Sequence, residues 1–200
     1  MKMKCIGIAG FLFVSAIGLR AQSFEISPFF GYRFGGTIEN SRGESSDLKA
    51  APAYGLSFDY SPYKNDSMKL ELFWSRQDSQ MDLGTVGGLE HMGLWVDVFQ
   101  IGGVYESGQG RLHETVTALV GATVFSPEEG DVEARFSLSL GLGVKYFLSK
   151  NLALRADLRG YCTVVESEGA FISTGGNTVA YFSGSGFWQG EVSGGFTLSF

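Results

Sequence analysis

Residues 187–200 read Phe-Trp-Gln-Gly-Glu-Val-Ser-Gly-Gly-Phe-Thr-Leu-Ser-Phe. Side chains alternate between the two faces of a strand. Trp188, Val192, Phe196, Leu198 and Phe200 therefore share one face with Gly190 and Gly194, and Gln189, Glu191, Ser193, Thr197 and Ser199 share the other. The same period of two recurs along the chain. It predicts strands over about Phe24–Gly36, Lys49–Tyr60, Ser67–Asp78, Gly93–Glu106, Leu112–Phe125 and Val132–Leu148, and another starting at Leu152. The segment Val132–Leu148 is the most regular, with Phe136, Leu138, Leu140, Leu142, Val144 and Tyr146 opposing Arg135, Ser137, Ser139, Gly141, Gly143 and Lys145. Asp97 breaks the rule by falling on the apolar face. That places it above a hydrocarbon layer or beside a bulge.

Between the strands, composition predicts turns at 61–66, 107–110 and 149–151, and loops at 37–47, 79–92 and 126–130. Short and long connections alternate. The 29 glycines, 17 phenylalanines and four prolines favour strands and turns over helices. At the front, Lys2 and Lys4 precede the apolar run from Cys5 to Leu19, and Ala21-Gln22 follows. This is the pattern of a cleaved export signal over residues 1–21, too short for a membrane helix of about 20 apolar residues. Removing it leaves 12 basic against 21 acidic residues, a net charge of −9, which disfavours a nucleic acid partner. It also leaves Cys162 without a second cysteine for a disulfide.

Strict apolar and polar alternation, an export signal and a terminal aromatic strand together resemble the small bacterial outer-membrane barrels of the OmpA/OmpX type. A soluble lipocalin-like barrel with the apolar face inside is the alternative. The resemblance rests on pattern and termini, with no internal motif. It implies an all-β fold: an eight-stranded up-and-down antiparallel transmembrane β-barrel over residues 22–200. Short turns lie in the periplasm and longer loops outside. It also implies lipid and lipopolysaccharide around the wall, the barrel-assembly machinery as a partner of the C-terminal strand, and a host or cell-surface ligand at the outer loops.

In that fold the polar face lines the lumen. It carries Arg33, Lys69, Arg135, Lys145, Arg155 and Arg159 against Glu25, Asp59, Glu71, Glu106, Asp157 and Glu191. An eight-stranded barrel is just wide enough for side chains to fill it, and buried charges are costly unless paired. The expectation is a packed ionic lumen, with a structural or adhesive role exercised through the outer loops. A narrow conduit for ions or small solutes is the alternative, and a lipid-modifying enzyme the third reading.

No residue is assigned to catalysis, to a cofactor or to a metal. His91 beside Glu90 reads as outer loop, and His113 beside Glu114 as the solvated start of a strand at the opposite end. Thirteen carboxylates fall in the outer stretches against Arg42, Lys49 and Arg76, so the outer rim should be acidic and suited to hard divalent cations.

Residues 170–182 read as two β-prone runs around Gly175-Gly176-Asn177, the tip of a projecting hairpin. Parity favours a three-residue loop pairing Thr174 with Thr178. The same register sets Leu152 opposite Phe200 and Tyr161 opposite Glu191.

Deleting Phe200 tests the terminal-strand resemblance. We expect slower insertion in cells with little change in the unfolding midpoint of the barrel once refolded. Normal insertion of the truncated chain would remove the assembly partner from the account.

Overall fold

A computed structural model describes residues 23–40, 45–62, 67–86, 89–128, 131–164, 170–174, 177–182 and 186–200. The proposed signal lies outside them. Among the described residues, every regular element is a strand. They are β1 (Ser23–Gly35), β2 (Thr37–Asn40), β3 (Ser45–Asp47), β4 (Ala51–Ser61), β5 (Met68–Val86), β6 (Leu89–Gln109), β7 (Leu112–Pro127), β8 (Glu133–Phe147), β9 (Leu152–Val164), β10 (Ala170–Thr174), β11 (Asn177–Phe182) and β12 (Gly186–Ser199). Eight of them close into an antiparallel barrel in the order β1-β12-β9-β8-β7-β6-β5-β4. The other four form a separate sheet, β10-β11-β2-β3.

The period of two has the sense expected of a membrane barrel. Phe30, Val116, Leu140, Leu142, Leu158, Trp188, Val192 and Phe196 point outward and are exposed, Leu140 at 70%. Ser27, Asp59, Glu71, Thr117, Ser139, Lys145 and Thr197 point inward and are buried. Tyr32, Tyr54, Tyr105, Tyr146 and Trp188 stand exposed on the outer wall, as interface aromatics do. At one end, which we call the turn end, Phe200 N–H donates to Phe24 O at 2.9 Å, beside the tight Gly110-Arg111 turn and the 148–151 turn. Gly110 takes φ +70° there. At the opposite, loop end, Gly35 and Gly36 (φ +84° and +100°) bend the chain out of β1 into β2.

Asp97 lies in an unbroken register opposite Arg76 and Val124, so no bulge accompanies it. Its two oxygens accept from Arg76 Nε at 2.8 Å and Nη2 at 2.7 Å, and Oδ1 also accepts from Trp74 Nε1 at 3.1 Å. An outward ion pair is expensive at the bilayer midplane and nearly free at the interface. The pair therefore marks where β5 and β6 leave the hydrocarbon. From Arg76 to Val86, β5 continues for ten residues, about 33 Å of strand.

Three expectations are corrected. The stretch 79–92 is not a loop: β5 and β6 run through it and pair as far as Val86 and Leu89. The stretch 37–47 contains β2 and β3, which pair Thr37 with Asp47. The β9–β12 register is displaced by two residues. Leu152 faces Leu198, Ala156 faces Gly194 and Cys162 faces Trp188. Glu191 faces Arg159 in place of Tyr161, and Arg33 on its other side, so an acidic side chain sits between two basic ones. Ser199 is held instead by Asn151, whose Nδ2 donates to Ser199 O at 2.7 Å. At the far tip Thr174 pairs with Asn177 in place of Thr178, and the register shifts on either side of Ile172. The projecting hairpin itself is present as β10 and β11, and β11 continues onto β2.

Inward glycines let the backbone of facing strands approach closely. A Cβ on Gly121 would overlap the carbonyl oxygen of Phe99, whereas one on Gly194, on the outer wall, would meet nothing nearer than Arg155 O at 3.8 Å. We expect G121A to destabilise the barrel by about 1–3 kcal/mol and G194A to be nearly neutral, measured by urea unfolding in lipid bilayers.

Candidate functional site

The candidate site is the lumen with its two mouths. Period two aims every second side chain of eight strands at one narrow axis, so residues far apart in sequence meet there.

Nearest the turn end, two lysines and two glutamates interlock. Lys145 Nζ lies 2.6 Å from Glu25 Oε2 and 2.9 Å from Glu106 Oε2. Lys69 Nζ lies 2.7 Å from Glu25 Oε1 and 2.8 Å from Glu106 Oε2. His113 Nδ1 donates to Glu106 Oε1 at 2.8 Å, and its ring meets Phe147 edge-on at 4.8 Å. His113 is therefore part of the lumen, not solvated surface as its sequence context suggested. His91 lies on β6, opposite Asp82, in strand and not in loop.

One layer deeper, Arg155 spans Asp157 at 2.7 Å, Glu71 at 3.2 Å and Asp59 at 3.5 Å. Arg159 Nη2 donates to the other Glu71 oxygen at 2.9 Å. Next comes an apolar plug of Phe73, Val98, Leu119 and Tyr161, with Phe29 packed against it. Phe29 stacks on Phe73 at 5.4 Å. The Arg159 guanidinium covers Phe73 at 4.1 Å, and that of Arg33 covers Tyr161 at 4.5 Å.

Above the plug, Arg33 Nε donates to Glu191 Oε2 at 2.9 Å, and Tyr161 donates to Glu191 Oε1 at 3.2 Å. Gln189 Nε2 donates to Gln77 Oε1 at 3.0 Å. Nearer the loop end the lumen turns apolar. Leu94, Val96, Phe125 and Phe187 are buried, with Phe125 and Phe187 in a T-shaped contact at 5.4 Å.

All twelve lumen charges expected from sequence point inward. Ten of them, together with His113, join the networks just described. An eleventh, Asp157, belongs to them through Arg155. Arg135 stands apart, paired with Glu133 near the loop end. Sequence reasoning missed two contributions. One is His113 as a member of the lysine–glutamate layer. The other is the apolar upper lumen, although Leu94, Val96 and Val98 alternate in step with Gln100 and could have shown it.

Among the described residues, side chains fill the axis at these layers. The hollow between Arg155, Arg159 and Phe73 measures ≈ 10 Å³, about enough for one water. A path along the axis would have to part Phe29, Phe73 and Tyr161.

Removing one member of a buried ion pair typically costs about 3–5 kcal/mol, because its partner is left charged and dry. K145M should cost that much in urea unfolding. K145M/E25Q should recover part of it, since it also removes one of the stranded carboxylates.

No protein-family model and no curated protein matches the chain. Solved structures do. The crystal structure of Neisserial surface protein A aligns with a TM-score of 0.60 at 15% identity, covering 88% of this chain and 97% of that one. The outer membrane protein OprG from Pseudomonas aeruginosa aligns at 0.53 and 13%, covering 90% and 96%. The N-terminal β-barrel domain of Pseudomonas aeruginosa OprF aligns at 0.50 and 18%, covering 89% and 97%. At such identities the likeness is one of fold. Eight antiparallel strands, an apolar outer belt and a charged, filled lumen give this chain the fold of the small outer-membrane β-barrels.

Proposed function

We propose that the chain is a resident of the bacterial outer membrane that works through its outer surface and not through its lumen. Residues 1–21 direct export and are removed, and residues 22–200 form the barrel. The loop end faces outward and the turn end faces the periplasm. The role is structural or adhesive, with a cell-surface or host ligand engaged by the outer sheet and the tall β5–β6 hairpin. The observation that carries this reading is the sealed axis: two ionic layers around an aromatic plug, with an apolar core above. A barrel built to conduct would keep a water-filled path. A barrel built to catalyse would gather reactive groups at one mouth, and His113 is occupied by Glu106 and Phe147. The membrane wall supplies lipid contacts, and the C-terminal strand is the segment offered to the assembly machinery.

Two measurements separate the readings. In planar bilayers the purified barrel should leave the current at baseline, and a steady ohmic conductance would favour the conduit. Replacing residues 170–182 by a short Gly-Ser turn should leave heat-modifiable migration intact and abolish binding of expressing cells to host or matrix surfaces. Undiminished binding would move the adhesive surface elsewhere.

A further inference from the structure

The turn end carries a feature that the outward-acting reading does not use. The Gly110-Arg111 turn and the 148–151 turn are neighbours, because Phe147 N–H donates to Arg111 O at 2.8 Å. Between them lies a hollow of ≈ 400 Å³, lined by Arg111, His113, Phe147 and Lys150 among others. Arg111 and Lys150 are exposed and bring two full positive charges. No carboxylate lines the hollow among the described residues. The nearest described acid inside the barrel, Glu106, lies behind His113 and is shared with Lys69 and Lys145.

The lumen behind the hollow is short of positive charge. The two layers nearest this mouth join Glu25, Asp59, Glu71, Glu106 and Asp157 to Lys69, Lys145, Arg155 and Arg159. Five carboxylates meet four fixed bases there. Arg111 and Lys150 belong to neither layer: they stand in the turns, exposed, and line the hollow. On the outer wall Leu112, Tyr146 and Leu148 are exposed at the same rim, and the exposed carboxylate of Glu114, opposite Val144, shares their face. The hollow thus lies between exposed apolar side chains and a pair of cations, at the level where the outer wall carries its first charge. That is the profile of the zone where hydrocarbon ends and headgroups begin.

We propose that this hollow is a seat for the phosphate of an anionic phospholipid headgroup. Arg111 and Lys150 would grip the phosphate, while the acyl chains run along the wall past Leu112 and Tyr146. Arginine and lysine differ in geometry but both bind phosphate well, the first as a fork and the second as a point charge. The seat would fix the depth of the barrel at the turn end, as the Arg76–Asp97 pair does at the loop end. The proposal rests on the membrane reading above but not on which way the barrel points.

The test uses the folded barrel in detergent, with phosphatidylglycerol or phosphatidylcholine added and retention measured by native mass spectrometry. Both leaflets are absent, so the result does not depend on orientation. Conductance is read on the same purified barrel and cell binding on expressing cells, so failure here is distinguishable from failure of the proposed function. Phosphatidylglycerol should be retained in preference to phosphatidylcholine. R111Q/K150Q should weaken its retention by roughly a factor of thirty, the effect of losing two basic side chains at an anionic lipid surface. K49Q removes a base from the loop end and should leave retention unchanged. Equal loss in K49Q and R111Q/K150Q would show a general charge effect and overturn the site. Equal retention of the two lipids would overturn it as well. If inorganic phosphate alone binds in an Arg111-dependent way while the lipid does not, the hollow is a free-anion site and the lipid assignment falls.

Discussion

Everything in this molecule follows from the closure of β1 against both β12 and β4. Hydrocarbon offers backbone amides no partner, so a sheet that crosses it must have no edge. Closing eight strands satisfies the backbone and fixes the width of the axis at the same time. A lumen that narrow has to be filled with side chains, and an inward face of Lys, Arg, Asp and Glu has to neutralise itself. The interlocked pairs of Lys69 and Lys145 with Glu25 and Glu106 are thus a consequence of strand number as much as of sequence.

The barrel changes character along its axis. In the lower part polar side chains face in and apolar ones face out. Near the level of Asp97 the inward face becomes mixed: Leu94 and Val96 are buried beside Gln77 and Ser79, and the outward face carries the Arg76–Asp97 pair. An outward ion pair at that level fits a surrounding medium that changes from lipid to water there. Aromatic residues handle the crossing, with Trp74 donating to Asp97 and Arg76 lying 5.9 Å over Trp95. The upper barrel buries Leu94, Val96, Phe125 and Phe187 beside hydrogen-bonded Gln77, Gln189, Thr123 and Thr163, while the lumen nearer the turn end is held chiefly by ion pairs.

What could be read from sequence divides along the same line. In the hydrocarbon zone one face must be apolar, so alternation is strict, and the strands and the lumen-facing charges were legible there. Beyond it neither face is constrained in that way. Thr37–Asn40, Ser45–Asp47 and the upper part of β5 are polar enough to read as loops, yet they pair as strands. Register was less legible than parity. A shift of two residues keeps every side chain on its face, so alternation alone could not tell Leu152 opposite Phe200 from Leu152 opposite Leu198. The register that forms sets Glu191 between Arg33 and Arg159 of the flanking strands and the Asn151 side chain on Ser199, partners remote in sequence. His113 was misread because its neighbours in sequence are polar and exposed, whereas its partner Glu106 comes from the facing strand.

The strands do not stop at a common height. β5 and β6 pair up to Val86 and Leu89, while β7 ends at Pro127 and β8 begins at Glu133. β3 lies against β5, so the outer sheet of β10, β11, β2 and β3 stands on the tall side. The loop end is therefore lopsided, a raised wall of paired strands beside a low rim. Strands that project with their backbone bonds made keep their shape without a membrane to hold them. Among the described residues, a partner meeting this end would encounter paired strands, the β5–β6 hairpin and the sheet of β10, β11, β2 and β3.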